Sequence, residues 1–198
     1  LVAQKKIEEA RQLLSQAREK WPGEVEVWLA AVALERRQRE FEQAEKLLVE
    51  AEHQLGDSAR VRLARAHYLV ERYGQAASQQ IRQLAEGTSQ WSREDRGQLL
   101  VGLGAFLMQV GDYATARSFC SEGAELLPHN LRARILLFDL ALRAEDYSAL
   151  GRVVKEIEEI EGRGALWHYG RAVELVLLSI VGKENRLAEA RNLLMQAA

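Results

Sequence analysis

The sequence predicts an all-α fold: a right-handed α–α superhelix of about 11 antiparallel helices. Three observations lead there. Ala, Leu, Glu, Arg and Gln dominate, β-branched runs are scarce and only two prolines occur, a composition that loses little on entering helices. An apolar stripe of helical period recurs along the chain. Both prolines fall at one phase of that recurrence.

The recurrence is anchored on Ile7, Phe41, Tyr73, Tyr113, Tyr147 and Leu187, spaced 34, 32, 40, 34 and 40 residues apart. Three residues after the anchors stand Ala10, Ala44, Ala76, Ala116, Leu150 and Ala190. Seven after stand Leu14, Leu48, Gln80, Cys120, Val154 and Leu194. Ten after stand Ala17, Ala51, Gln83, Gly123, Ile157 and Ala197. These offsets trace one face of an outer helix. Small residues at the first and last offsets admit a second helix closely. Pro22 and Pro128 each stand 15 residues after an anchor, where proline stops a helix. Before each later anchor lies an inner helical segment, expected over 24–38, 58–71, 92–109, 131–143 and 165–181. Ten before the anchors stand Ala31, Leu63, Leu103, Leu137 and Leu177, and nine before stand Val32, Ala64, Gly104, Phe138 and Leu178. Both rows are expected to pack inward.

This pattern resembles the tetratricopeptide repeat, a 34-residue helix–turn–helix unit. The best match is Leu103-Gly104, Gly111-Asp112-Tyr113, Ala116, Gly123 and Pro128; the second is Trp28, Phe41, Ala44, Leu48 and Ala51. The unit anchored on Tyr73 departs, with Gln80 and Gln83 at apolar positions. A one-residue slip to Ala77, Ile81 and Leu84 restores the stripe and implies a rotated helix. The Tyr147 unit carries Leu150 and Ile157 where small residues are usual. Of the two long spacings, the first points to a longer loop at 86–92, with Ser92 and Asp95 as an N-cap and its return partner. The second points to a lengthened segment around 161–170. The expected units are a half repeat at 1–22 and repeats at 24–56, 58–87, 92–128, 130–162 and 164–198, all in one domain over 1–198. Unpaired helices at both ends and the absence of an initiator Met raise the expectation of a segment from a longer protein.

Composition narrows function. A net charge of −2 supplies no field for nucleic acid. No apolar run approaches the roughly 20 residues of a membrane span. One cysteine and no signal or transmembrane segment favour a cytoplasmic location. Cys120 falls in the core phase and reads as a small buried apolar residue, not a reactive thiol. His53, His67, His129 and His168 have no metal-ligand spacing. The Gly-Leu-Gly at 102–104 lies within a helix and lacks the preceding strand of a dinucleotide loop. Glu156 and Glu159 share a solvated helix face. The expectation is therefore no catalytic residues, no cofactor and no metal.

Function is expected on the inner helices, which line a concave surface in such arrays. Leu29, Val61, Val101, Ile135 and Leu175 form an aliphatic row twelve before the anchors, either inter-repeat packing or an apolar groove. Ala33, Arg65, Ala105, Asp139 and Ser179 stand eight before; Arg36, Tyr68, Met108, Leu142 and Gly182 stand five before. Candidate groove residues are Leu29, Arg36, Arg62, Arg65, Tyr68, Val101, Met108, Arg132, Ile135 and Asp139. The arginines either meet carboxylates of a partner or form an ordinary solvated face. Some members of the resembled family capture a C-terminal carboxylate with inner-helix Asn and Lys. Asn130, Asn185 and Asn192 lie in loops or on an outer helix, so that arrangement is not expected. The resemblance implies a non-catalytic scaffold binding a protein or peptide; the alternative is a structural spacer or self-assembly segment of a longer repeat protein.

Overall fold

The computed structural model describes residues 2–182 and 185–197, with side chains from residue 4 onward. Leu1, Lys183, Glu184 and Ala198, which fall in the first and last expected units, lie outside the described residues. The elements are α1 (Val2–Lys20), α2 (Val25–Arg37), α3 (Phe41–Leu55), α4 (Ala59–Tyr73), a 3₁₀ turn (Gly74–Ala77), α5 (Ser78–Gln83), α6 (Arg93–Gln109), α7 (Tyr113–Leu126), α8 (Leu131–Arg143), α9 (Tyr147–Glu161), α10 (Ala165–Ile180) and α11 (Leu187–Ala197). No strand occurs among the described residues. The chain divides into two compact units, Leu1–Ala116 and Arg117–Ala198, with the boundary inside α7.

Three of the inner-to-outer turns share one geometry. Two residues before their anchors, Arg39 (φ 62), Gly111 (φ 84) and Glu145 (φ 52) are left-handed. The next amide closes back five residues: Glu40 N to Glu35 O (3.0 Å), Asp112 N to Leu107 O (2.9 Å) and Asp146 N to Ala141 O (3.0 Å). This closure satisfies carbonyls left over at a helix end. Acidic side chains then cap the outer helices. Asp112 Oδ1 accepts from Thr115 N (3.3 Å) and Asp146 Oδ1 from Ala149 N (3.0 Å).

In the first unit, Ala44, Leu48 and Ala51 of α3 are fully buried, as the stripe requires. Trp28, Ala31 and Val32 of α2, which packs on α3, are buried too, as are Leu99, Leu103 and Leu107 of α6, which packs on α4. The Trp28 indole donates to Pro22 O (2.9 Å), tying α2 to the chain that enters it. Gly102 of α6 lies so close to Leu63 of α4 that a Cβ there would sit 2.4 Å from Leu63 Cδ2.

The third outer helix departs from its neighbours. Tyr73 does not open it but ends α4, and Gly74 (φ 54) breaks the path. A 3₁₀ turn and the six-residue α5 follow, burying Ala77 and Ile81 completely while Ala76, Gln80 and Gln83 are exposed. The slipped stripe is thus the one that packs. The long loop at 86–92 is present. Ser92 Oγ accepts from Asp95 N (3.0 Å), and its hydroxyl donates to Asp95 Oδ2 (2.7 Å). The return bond therefore goes to the side chain, not to the backbone amide.

In the second unit, Leu150, Val153, Val154 and Ile157 of α9 pack on Phe138 and Ala141 of α8. Gly170 of α10 supplies one close approach, where a Cβ would sit 3.1 Å from Val154 Cγ2 and 3.5 Å from Phe138, and Gly151 of α9 another, where a Cβ would sit 2.9 Å from Glu174 Oε1. The extra residues of the second long spacing lie elsewhere than expected. The turn at 162–164 is short. The surplus is in α10, with 16 residues against 13 in α8, and in the longer connection to α11. The inward rows also pack incompletely: Leu177 and Leu178 are only half-buried, and Leu194 is 44% exposed.

Candidate partner-binding face

Burial sorts the candidate residues. In the first unit Val61 and Val101, and in the second Leu175, are at most 2% exposed. These members of the aliphatic row pack in the core. Leu29 is half-buried and Ile135 reaches the surface. Tyr68 is also core, 1% exposed, its hydroxyl donating to Glu45 Oε2 (3.0 Å) and its ring meeting Phe41 edge-on. Tyr68 and Val101 are thus corrected from groove lining to packing. The row eight before the anchors behaves oppositely. Ala33, Arg65, Ala105, Asp139 and Ser179 all retain solvent exposure. Met108 is half-buried beside it in sequence, and Arg132 and Asp139 are exposed on α8. Partial desolvation of the Asp139 carboxyl raises its proton affinity, with Arg143 opposing.

The arginines of α4 are already engaged. Arg62 donates to both Asp57 carboxylate oxygens (2.7 and 2.5 Å) and to the carbonyls of Leu84 (2.7 Å) and Glu86 (2.6 Å). Arg65 Nε donates to Glu52 Oε1 (2.6 Å). Both line a crevice of 360 Å³ shared with Glu52, Asp57 and Glu86. Reversing the charge of Arg62 would therefore disturb the fold before it disturbed any partner.

Arg36 belongs to a node that the sequence did not reveal. It closes α2 with its side chain only 8% exposed. Its Nη1 lies 3.4 Å from Glu71 Oε1 of α4, and the same oxygen stands 3.2 Å from His67 Nε2. The His67 ring rests on Phe106 of α6, centroids 5.3 Å apart at 35°. Burial first, then the Arg36 charge, lowers the His67 pKa, with Glu71 opposing. Positions 36, 67 and 106 lie five, six and seven residues before their anchors, so no single offset marked them.

The other singled-out residues are structural. Asn130 Oδ1 caps α8 by accepting from Ala133 N (3.0 Å). His168 Nδ1 is 2.8 Å from Gly164 O. Glu156 pairs with Arg134 (2.9 Å). Cys120 is fully buried, and burial pushes its thiol pKa up to about 12. No helix among the described residues is long and apolar enough to cross a membrane.

Antiparallel helix pairs recurring at a near-constant interval, with the outer stripe buried and an inner row left open, define a helical-repeat protein. Residues 1–78 match the family described as Tetratricopeptide repeat, and the fold of the chain is similar to that of solved tetratricopeptide repeat proteins. One similar solved structure comes from a functional characterization of Pseudomonas aeruginosa pilF: 17% identity, 96% of this chain and 83% of that one, TM-score 0.62. A second is YrrB, described as a TPR protein with an unusual peptide-binding site: 14% identity, 93% and 91%, TM-score 0.60. A third is a tetratricopeptide repeat protein from Parabacteroides merdae: 18% identity, 100% and 76%, TM-score 0.60. No curated protein matches the chain by sequence. The family is generally one of non-catalytic protein-interaction scaffolds.

Proposed function

We propose that the chain is a non-catalytic scaffold that binds a protein or peptide partner through the open faces of its inner helices. One observation carries the reading. The row eight before the anchors stays accessible on all five inner helices, at Ala33, Arg65, Ala105, Asp139 and Ser179, while the outer stripes of α3, α7 and α9 are buried. Within each unit, an inner row left at least partly open supports a surface on which a peptide can lie. The peptide-binding site named for YrrB supports the reading by likeness of fold. Leu29, Arg36, Met108, Arg132, Ile135 and Asp139 remain its candidate contacts. The test is capture of partners by the wild-type chain and by variants blocked on this row. Partners that survive the block would refute the assignment.

A second reading, self-assembly, is favoured by α10 and α11. Ile180, Leu187, Leu194 and Met195 are 72%, 53%, 44% and 70% exposed, large apolar side chains of the kind that interfaces cover. Sedimentation across a hundredfold concentration range separates the two: a constant monomer mass argues against self-assembly. The chain as one repeat domain over 1–198 is part of the same proposal. A single calorimetric transition supports it, and two separate transitions would overturn it.

A further inference from the structure

Arg72 is surrounded by aromatic rings. It stands in the last turn of α4, one residue before Tyr73 ends that helix. Its guanidinium carbon lies 5.8 Å from the ring centroid of Phe41, 5.9 Å from that of Tyr68 and 5.4 Å from that of Tyr73. The rings stand steeply to one another. Phe41 and Tyr68 meet at 67° with centroids 6.2 Å apart, and Tyr68 and Tyr73 at 89° and 6.4 Å. Three rings thus converge on one cation, each within the distance at which its quadrupole attracts charge. Carboxylates stand beside them: Glu42 Oε1 accepts from Arg72 Nη2 (2.9 Å), and Glu45 Oε2 accepts from the Tyr68 hydroxyl (3.0 Å). Phe41, Glu42 and Glu45 come from the start of α3; Tyr68, Arg72 and Tyr73 come from the end of α4. The whole cluster lies within the first unit.

Arg72 is an imperfect occupant of this enclosure. Its Nη1 is sealed from water yet has no hydrogen-bond partner. A ring face is a weak acceptor, so that donor stays largely unsatisfied. The Arg72 ion pair is with Glu42, whose side chain is 77% exposed. The guanidinium can therefore move into water with Glu42 still attached. Glu45 would stay behind to balance one incoming positive charge. Tyr68, 1% exposed, is the floor of the enclosure, and Tyr73, 43% exposed, is its open side. A cation suited to this lining carries a single charge and no N–H to be stranded. A quaternary methylammonium meets both conditions, because its charge is spread over methyl groups that pack against ring faces.

We propose that Phe41, Tyr68 and Tyr73 form a cage for a methylated ammonium group, filled in the free protein by Arg72, which the ligand displaces. A trimethyllysine side chain of a partner and a free choline-type molecule share this chemistry. The site is built where α3 begins and α4 ends and needs nothing from the inner-helix row.

The test titrates the intact chain with tetramethylammonium chloride at constant ionic strength and follows the Phe41 and Tyr73 ring protons by NMR. Arg72→Ala empties the cage, so the response should appear at about tenfold lower concentration than in the wild type. The ligand's methyl protons should shift upfield against the ring faces. Adding Tyr73→Ala to that variant should abolish both signals. Should Arg72→Ala fail to fold, Arg72→Lys keeps a cation whose ammonium is more strongly hydrated and leaves the rings more readily; it too should bind more tightly than the wild type. Choline should bind the Arg72 variants, and its uncharged analogue, with a tert-butyl group in place of trimethylammonium, should not. The peptide acetyl-Ala-trimethyllysine-Ala-amide separates the sources: binding tighter than that of choline assigns the cage to a modified protein partner, and the reverse order to a free small molecule. Binding by the Arg72 variants no tighter than by the wild type, a response that survives loss of Tyr73, or equal binding of the uncharged analogue would make the cluster a purely structural clamp on Arg72. That result would leave partner capture by the inner face standing.

Discussion

The Arg62 guanidinium lies over the Trp91 ring, its central carbon 4.8 Å from the ring centroid. The same group binds Asp57 and the carbonyls of Leu84 and Glu86. One side chain of α4 thus closes the long connection between α5 and α6, beneath which Thr88 is buried. Arg62→Ala should cost about 2 kcal/mol, since charged hydrogen bonds and the ring contact are lost together. Amide exchange should accelerate at Trp91, whose N–H bonds Thr88 O. Arg65→Ala, which loses one half-exposed ion pair, should cost under about 1 kcal/mol. Chemical denaturation of both variants checks the ranking; equal losses would contradict it.

Glu145 holds φ 52 at the turn position that Gly111 fills in the preceding hairpin. Left-handed backbone strains a residue with a Cβ by about 1–2 kcal/mol, and glycine offsets part of that gain by its freer unfolded chain. Glu145→Gly should therefore raise stability by about 0.5–1 kcal/mol. A lower denaturation midpoint in the variant would show that the Glu side chain supports the turn.

His67 titrates below the ordinary histidine value of about 6.5. The unfolded chain thus takes up this proton first as pH falls. The stability contributed by neutral His67 is complete above about pH 7 and is lost as pH drops through 6.5 toward the folded value. Arg36 and Glu71 face the ring, and Phe106 covers it. Denaturation midpoints at pH 7.5 and 5.5 should diverge more for the wild type than for His67→Gln. An equal decline would show that the titration is uncoupled from folding.

Cys120 is sealed, and its thiolate forms only near pH 12. A disulfide reagent at pH 7.5 should label the native chain about a thousandfold more slowly than a free thiol, and label it fully on unfolding. Prompt native labelling would reveal an opening of α7 that the fold does not suggest.

The repeat phase was readable because it is written in side-chain volume. Ala44 and Ala51, and the slipped pair Ala77 and Ile81, announced which face packs. The inner-helix boundaries followed from the same period. Tyr73 misled because an aromatic at the anchor phase does not reveal whether it opens one helix or ends another; Gly74, with its left-handed φ, decided that. Tyr68 and Arg62 were placed in a groove because offset alone does not say which neighbour a side chain reaches. Tyr68 finds Glu45, and Arg62 finds Asp57 and two carbonyls, all contacts set by tertiary placement. The Arg36–Glu71–His67 node was invisible for the same reason: it joins two helices at different offsets through one oxygen.

The most direct measurement of the central claim compares quantitative partner capture by the wild type with capture by Ala105→Arg and Ile135→Arg. These place a bulky cation on the accessible face of α6 and of α8, one in each unit. Gln79→Arg on the exposed side of α5 serves as the outer control, and circular dichroism verifies that all four chains are equally folded. The expected result is at least about tenfold weaker capture by one or both inner-face variants, with the Gln79→Arg chain unchanged. Undiminished capture by both inner-face variants, or loss only in the Gln79→Arg chain, would contradict binding through the inner helices.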